Sequence, residues 1–424
     1  MLNSLHLKNV GPAPEMRMEL APRLNLLTGD NGLGKSFLLD VAWWCLTHSW
    51  ARSAVLPAPL PAKSVIEFSY TKASPGPYEY ASTFDRKRER WSVKHSRPAT
   101  PGLVLYAQVD GGFSVWDPAR NYWKADAPSR PAAYLFAPNE VWGVTPHCEG
   151  LIRDWGYWQR ERGKAFEVFC HVLEALSPSP KETLVPGELR KLTTGDAVRY
   201  PTLRMFYGDD VPVVHASAGM RRVLALSYLL VWSWNEHIAA AELRGDPPAR
   251  EIVFLIDEIE AHLHPQWQRR IVPAVLKVMD ALTGHHGSRV QLITATHSPL
   301  VLASAEPLFD HQKDAWFDLD FEEGPVVLRK RDFVWHGDVD SWLTSTFDLV
   351  EARSLEAETA IREALSLVKQ PRPSADSIRR VDKLLRTSLS DIDRFWVRWS
   401  AFRDGRASRP AVLHAALRDR EAKP

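Results

Sequence analysis

Leu24-Asn25-Leu26-Leu27-Thr28-Gly29-Asp30-Asn31-Gly32-Leu33-Gly34-Lys35-Ser36-Phe37 is the stretch on which the fold of this chain turns. Leu24 to Leu27 reads as a strand, and Gly29 to Ser36 is a complete GxxxxGK[ST] loop. From Phe37 to Leu46 the apolar residues form a helical stripe and extend around it, as expected of a helix buried against a sheet. Strand, loop and helix follow in the order a phosphate-binding loop requires. The glycines let successive backbone N–H groups converge on phosphate oxygens at a helix N-terminus. Lys35 is then expected to reach the β- and γ-phosphates, and the Ser36 hydroxyl to coordinate Mg²⁺. Asn31, Gly32, Gly34, Lys35, Ser36 and Phe37 are the candidate contacts of a bound nucleotide.

Outward from this loop, Leu5 to Val10 reads as a short opening strand. Residues 51 to 145 change texture: Pro57, Pro59, Pro61, Pro75 and Pro77 separate alternating runs such as Val65 to Tyr70 and Leu103 to Tyr106. These predict antiparallel hairpins on one lobe. Leu151 to Leu176 turns helical and is ended by Ser177-Pro178-Ser179-Pro180, so a separate helical lobe is expected to begin there. Residues 218 to 243 form a strong helix closed by Gly245. Ile252 to Ile256 is a continuous apolar run suited to a parallel strand buried on both faces. A helix over Trp267 to Leu282, a strand over Val290 to Ala295 and a strand pair near Val326 to Leu328 follow, and everything from Ser341 on reads as helical. The expected organisation is four regions. Residues 1–150 form a lobe with the phosphate loop and an antiparallel β insertion, and 151–250 a helical lobe. Residues 251–340 return to the core, and 341–424 form a helical interaction region in which Trp342, Trp396 and Trp399 look exposed.

Three further motifs carry chemistry. Ile252 to Ile256 runs into Asp257-Glu258, placing one carboxylate where it can hold Mg²⁺ and a second where it can polarise an attacking water. Ser217-Ala218-Gly219 opens the helix of residues 218 to 243, where a hydroxyl, a glycine amide and a helix N-terminus make an anion site. A plain Ser N-cap is the alternative there. Thr296-His297-Ser298-Pro299 follows the next strand, and His297 could donate a hydrogen bond to a γ-phosphate or be a structural strand-end histidine. His262 and His264 after Glu258 read as interface or capping residues rather than metal ligands, and His285-His286 as an exposed turn.

Phosphate loop, Ser-x-Gly signature, Asp-Glu strand and switch histidine, in that order, resemble the ABC-type ATPases of the SMC, RecF and OLD group. The run Ile256 to Arg270, with Thr296 to Pro299, looks more narrowly like the small bacterial ATPases exemplified by the Septu defence ATPase PtuA and retron-associated relatives. The resemblance covers residues 1 to 305. It implies an α/β P-loop fold with a mixed sheet core, and hydrolysis of MgATP between two copies of the chain. One copy's Ser217 and Gly219 would complete the partner's site, with Glu258, His297 and Lys35 as the catalytic residues and Ser36 and Asp257 at the metal. It also implies a glutamine at the lobe junction, for which Gln159 is the first candidate and Gln108 the second. The output is expected to be control of a partner effector such as an HNH nuclease in anti-phage defence. A RecF-like DNA repair ATPase or a nucleotide-sensing scaffold is the alternative.

Composition bounds these readings. The chain has 424 residues, 45% apolar and 25% charged, which is ordinary for a globular protein with room for two or three domains. Lys plus Arg (53) nearly cancels Asp plus Glu (52), so any nucleic-acid surface must be local, as at Arg86 to Arg90 or Arg329 to Arg331. Three cysteines without CxxC spacing read as buried hydrophobes in a reducing compartment. No run approaches the ~20 apolar residues that cross a bilayer, so a cytoplasmic protein is expected. A built-in nuclease would need a carboxylate constellation, and Asp391-Ile392-Asp393 reads instead as a helix surface. The 17 tryptophans are expected to be core or interface anchors.

Overall fold

The computed structural model describes residues 1–71, 77–93, 102–121, 130–283, 289–321, 324–336, 339–346, 353–370 and 373–403. The chain begins β1 (Leu2–Lys8), β2 (Glu15–Glu19), β3 (Leu24–Gly29), α1 (Lys35–Thr47), β4 (Val65–Thr71), β5 (Pro77–Asp85), β6 (Arg90–Trp91), β7 (Leu103–Ala107), β8 (Phe113–Trp116) and β9 (Tyr134–Phe136). It continues α2 (Leu151–Glu161), α3 (Lys164–Ala175), β10 (Val185–Pro186), β11 (Thr202–Arg204), β12 (Asp210–Pro212), α4 (Ala218–Arg244), β13 (Glu251–Ile256), α5 (Pro265–Gln268), α6 (Ile271–Thr283), β14 (Arg289–Ala295), α7 (Pro299–Ala305), β15 (Asp314–Phe321) and β16 (Val326–Arg331). Helices α8 (Val339–Thr346), α9 (Leu355–Lys369), α10 (Ala375–Ser388) and α11 (Phe395–Arg403) follow. Two compact units result, Met1–Val339 and Asp340–Pro424. His285 and His286 lie outside the described residues.

The central sheet has eight strands in the order β16-β15-β3-β14-β13-β7-β8-β9. β15, β3, β14, β13 and β7 run parallel to one another, while β16 and the β8–β9 pair add antiparallel margins. Every residue of β3 and β13 is buried, the pattern of parallel strands covered on both faces. β7 departs from the expectation of a simple hairpin. It does pair antiparallel with β8, but its other edge pairs parallel with β13, so Leu103 to Ala107 belongs to the central sheet. The antiparallel lobe is the separate five-stranded sheet β2-β1-β4-β5-β6.

The core lies between these two sheets. α1 fills it with Leu38, Leu39, Val41, Trp43, Trp44 and Leu46, all buried against Leu5 and Leu7 of β1 and Val104 and Tyr106 of β7. Trp44 stacks on Trp50 at 5.5 Å and meets Phe68 edge-on at 6.2 Å. In the helical lobe Trp155 packs edge-on against Phe169 at 4.8 Å, and Trp158 touches both Phe169 and Tyr228. Truncating such an anchor to alanine typically costs about 3–5 kcal/mol. Cys45 is a free thiol buried among these apolar groups and Cys148 is buried beside Thr145, while Cys170 is only half-buried, against the reading of all three as buried hydrophobes.

The second unit has its own small core of Ala360, Ile361, Val381, Leu385, Phe395 and Trp399. Trp342 and Trp399 are fully buried, against the exposed faces read for them, and Trp399 lies in this small core, which needs its largest side chains inside. Asp391 to Asp393 also departs from the reading. It is a turn before α11, where Asp393 takes Arg353 through two hydrogen bonds and accepts from Phe395 N–H.

Candidate active site

The loop between β3 and α1 wraps the N-terminus of α1. Gly29 sits at φ 127°, and a Cβ there would collide with the Leu319 carbonyl of neighbouring β15, so only glycine fits. Lys35 opens the helix and turns back, its Nζ donating to the carbonyls of Gly29 at 2.7 Å and Asp30 at 2.8 Å. Burial pulls its pKa down, and the carboxylates of Glu258, Asp257, Asp30 and Glu260 oppose that. The ring of Phe37 lies against Gly11.

Ser36, next on the helix, donates to Asp257 Oδ1 at 2.9 Å. Asp257 stands directly beyond β13, held by its N–H on the Ala107 carbonyl at the end of β7. Its Oδ2 is buried with no hydrogen bond, the nearest cation being the Arg52 guanidinium 3.5 Å away. Burial raises the Asp257 pKa, and the Ser36 bond and Arg52 counter it. A hydroxyl beside a carboxylate with an orphaned oxygen is a hard-oxygen donor pair. It suits Mg²⁺, which takes one or two carboxylates and completes its shell from phosphate and water.

Glu258 adopts the left-handed region, φ 45°, which turns its side chain away from that of Asp257. Arg222 of α4 holds this turn by donating to the carbonyls of Asp257 at 3.1 Å, Glu258 at 3.2 Å and Val109 at 2.7 Å. Glu258 Oε1 lies 3.6 Å from His297 Nε2. Thr296, just before that histidine, donates its N–H to the Leu27 carbonyl of β3, which sets His297 at the mouth of the phosphate loop. Burial first, then the charge of Lys35, depresses the His297 pKa, so the ring is neutral at neutral pH.

Lys35, Ser36, Asp257, Glu258 and His297 thus converge from three parallel strand ends. Ser217 and Gly219 do not join them: among the described residues no hydrogen bond links either to the loop. Ser217 is the exposed N-cap of α4, accepting from Met220 N–H at 3.3 Å. Gly219 is required by packing, since a Cβ would meet the His262 carbonyl at 2.6 Å. His264 Nδ1 accepts from Gln266 N–H and so caps α5.

Gln159 stands apart. Its Oε1 accepts from Trp155 Nε1–H and its Nε2 donates to the Gly187 carbonyl, so both ends of the amide are committed inside the helical lobe. Gln108 instead follows Ala107, whose carbonyl holds Asp257, and its Nε2 donates to Ser114. Arg52, Arg222 and Glu260 also stand around the site without having been singled out from the sequence. The only hint was Arg222 following the signature.

A phosphate loop, an acidic strand and a switch histidine on a mixed sheet define a nucleotide-binding ATPase of the ABC type. The chain belongs to the AAA_21 family, described as "AAA domain, putative AbiEii toxin, Type IV TA system", whose model matches residues 24–303. Among curated proteins it is similar to the "Retron Ec83 probable ATPase" of Escherichia coli, 43% identical over 49 residues. That match takes in 12% of this chain and only 8% of the relative. Among solved structures it is similar to an SMC head bound to the C-terminal winged-helix domain of ScpA. The identity is 13%, over 78% of this chain and 97% of that one, with a TM-score of 0.42. The SMC head domain from Thermotoga maritima is 15% identical over 78% and 99%, with a TM-score of 0.39. RecF of the RecFOR pathway is 13% identical over 78% and 98%, with a TM-score of 0.40.

Proposed function

We propose that the chain hydrolyses MgATP in a site shared by two copies of itself, and that the nucleotide state controls a separate effector, a nuclease such as an HNH protein in anti-phage defence. The observation that carries the reading is the Ser36–Asp257 contact at 2.9 Å beneath the phosphate loop, with Glu258 and His297 3.6 Å apart beside it. Lys35 binds the β- and γ-phosphates through donors it now spends on loop carbonyls. Ser36 and Asp257 would hold Mg²⁺, which when bound would screen the phosphate charge. Glu258, partly exposed at the loop mouth, orients a water and takes its proton, and neutral His297 donates a hydrogen bond to the γ-phosphate. Gln108, at the end of the strand that carries Asp257's anchor, is the better junction glutamine.

Exposed Ser217 at the N-terminus of a 27-residue helix supports a contact made in trans, since its position leaves it facing outward. The family's description as a putative toxin of a Type IV toxin–antitoxin system and the short likeness to a retron ATPase motivate the defence reading, and the separate effector is part of the proposal itself.

Replacing Glu258 by Gln tests the core of this. ATP binding should persist while turnover falls roughly 10²- to 10⁴-fold, the usual contribution of a positioned general base. Wild-type turnover in that variant would assign the water-activating role elsewhere.

A further inference from the structure

The loop after β13 and the loop after β14 are tied together by a residue to which the hydrolytic reading assigns no role. Glu260 Oε2 accepts from the Thr296 hydroxyl at 2.7 Å, and its Oε1 accepts from the His297 backbone N–H at 2.5 Å. Thr296 Oγ1 in turn accepts from Ser298 N–H at 3.0 Å. A second tie runs in parallel, with Ser298 Oγ donating to Gln268 Oε1 at 2.7 Å while Gln268 Nε2 donates to the Leu263 carbonyl.

We propose that Glu260 is a positioning residue for hydrolysis, which fixes the backbone of the switch loop so that His297 stands beside Glu258. The inference rests on the nucleotide reading above. A carboxylate is an expensive way to cap one strand end here, because burial disfavours its charged form and Glu258 across the same loop adds repulsion. A plain cap would be served by a neutral side chain. The anion offers two acceptors with fixed spacing, one for the hydroxyl and one for the amide, and that fixes the turn at His297 in both position and tilt. Since Glu260 is two residues from Glu258, any movement of the carboxylate-bearing loop drags the histidine with it. The pair at 3.6 Å therefore moves as one unit.

The test is a double-mutant cycle in steady-state ATPase assays with nucleotide affinity measured in parallel. Glu260→Gln and Thr296→Val should each lower kcat on the order of 10²-fold, the cost of a displacement of about 1 Å at a reacting geometry, with ATP affinity nearly unchanged. Thr296→Ser, which keeps the hydroxyl, should restore kcat. His297→Ala should remove the effect, so that the Glu260→Gln/His297→Ala double variant is no slower than His297→Ala alone. Independent, multiplying losses in the double variant, or wild-type kcat in both Glu260→Gln and Thr296→Val, would overturn the proposal. Lys35→Ala and Glu258→Gln in the same assay separate the two readings. If they stop turnover while Glu260 and His297 act independently, the clamp fails and the nucleotide site stands. If they leave turnover intact, the nucleotide reading fails and takes the clamp with it.

Discussion

Glu258 is held in a backbone conformation that a non-glycine residue adopts at a cost of about 1–3 kcal/mol, and the Arg222 guanidinium offsets it by binding the two carbonyls around the turn. Such strain persists only where surrounding groups over-determine it, and here two adjacent acids meet different partners. Asp257 faces Ser36 and Glu258 faces His297. Lys35 shows the same economy of position. Its two bonds to loop carbonyls close the phosphate loop on itself, and in the proposed mechanism the same ammonium is the fixed cation for phosphate. Lys35→Ala should therefore abolish ATP binding in equilibrium dialysis. Each lost charge-assisted bond is worth about 1.5–3 kcal/mol, roughly ten- to a hundred-fold in affinity. Wild-type affinity in that variant would remove the phosphate-loop assignment.

Among the elements, α4 links the helical lobe to the acidic strand, and a half-buried pair between it and α2 yields a pH test. Tyr228 donates its hydroxyl to Asp154 Oδ2 at 2.6 Å, yet burial pushes the Asp154 pKa up to about 6. The folded carboxyl thus binds its proton more tightly than the unfolded one, whose pKa is near 4. Between about pH 4 and 6 the folded state carries more protons, so stability falls as pH rises through that window and stays lower above it. Asp154→Asn should raise Tm at pH 8 and give no gain at pH 4. A difference that does not vary with pH would contradict the shift. The phosphate loop, β3, β13 and the α4 boundaries were legible because local signals mark them: glycines, unbroken apolar runs and the Gly245 stop. β7 was not, because its place depends on pairing with β13, nearly 150 residues away in the chain, and its neighbours in sequence are proline-bounded hairpins. Gln108 could be named only as the second candidate for the same reason, since only the fold shows that it directly follows the end of β7. Gln159 had only its place near the start of the helical segment to recommend it, and it lies inside α2. Glu260 lay in plain view three residues after Asp257, but only the β14 loop packed on it reveals its partners.

At the scale of the whole molecule, the arrangement of the site leaves its signature outside. The five residues that meet at the phosphate loop come from the ends of β3, β13 and β14 and from the start of α1, while Ser217 caps α4 on an exposed surface. A second copy would bring its own Ser217 to the nucleotide, and hydrolysis would then be second order in protein at low concentration. No helix among the described residues is long and apolar enough to cross a membrane. In the proposed scheme the second unit, which has its own core, is the effector contact.

The most direct measurement mixes two inactive variants. Lys35→Ala offers a sound signature and a ruined phosphate loop, and Ser217→Arg offers the reverse, so each alone has both sites damaged. In a heterodimer, one site pairs the intact loop of the second with the intact signature of the first. ATPase activity, measured across mixing ratios at constant total protein, should be near zero for either variant alone and should rise to a partial maximum near equal amounts. Full activity of Ser217→Arg by itself, or no recovery at any ratio although the two variants co-assemble, would contradict a site shared between two copies.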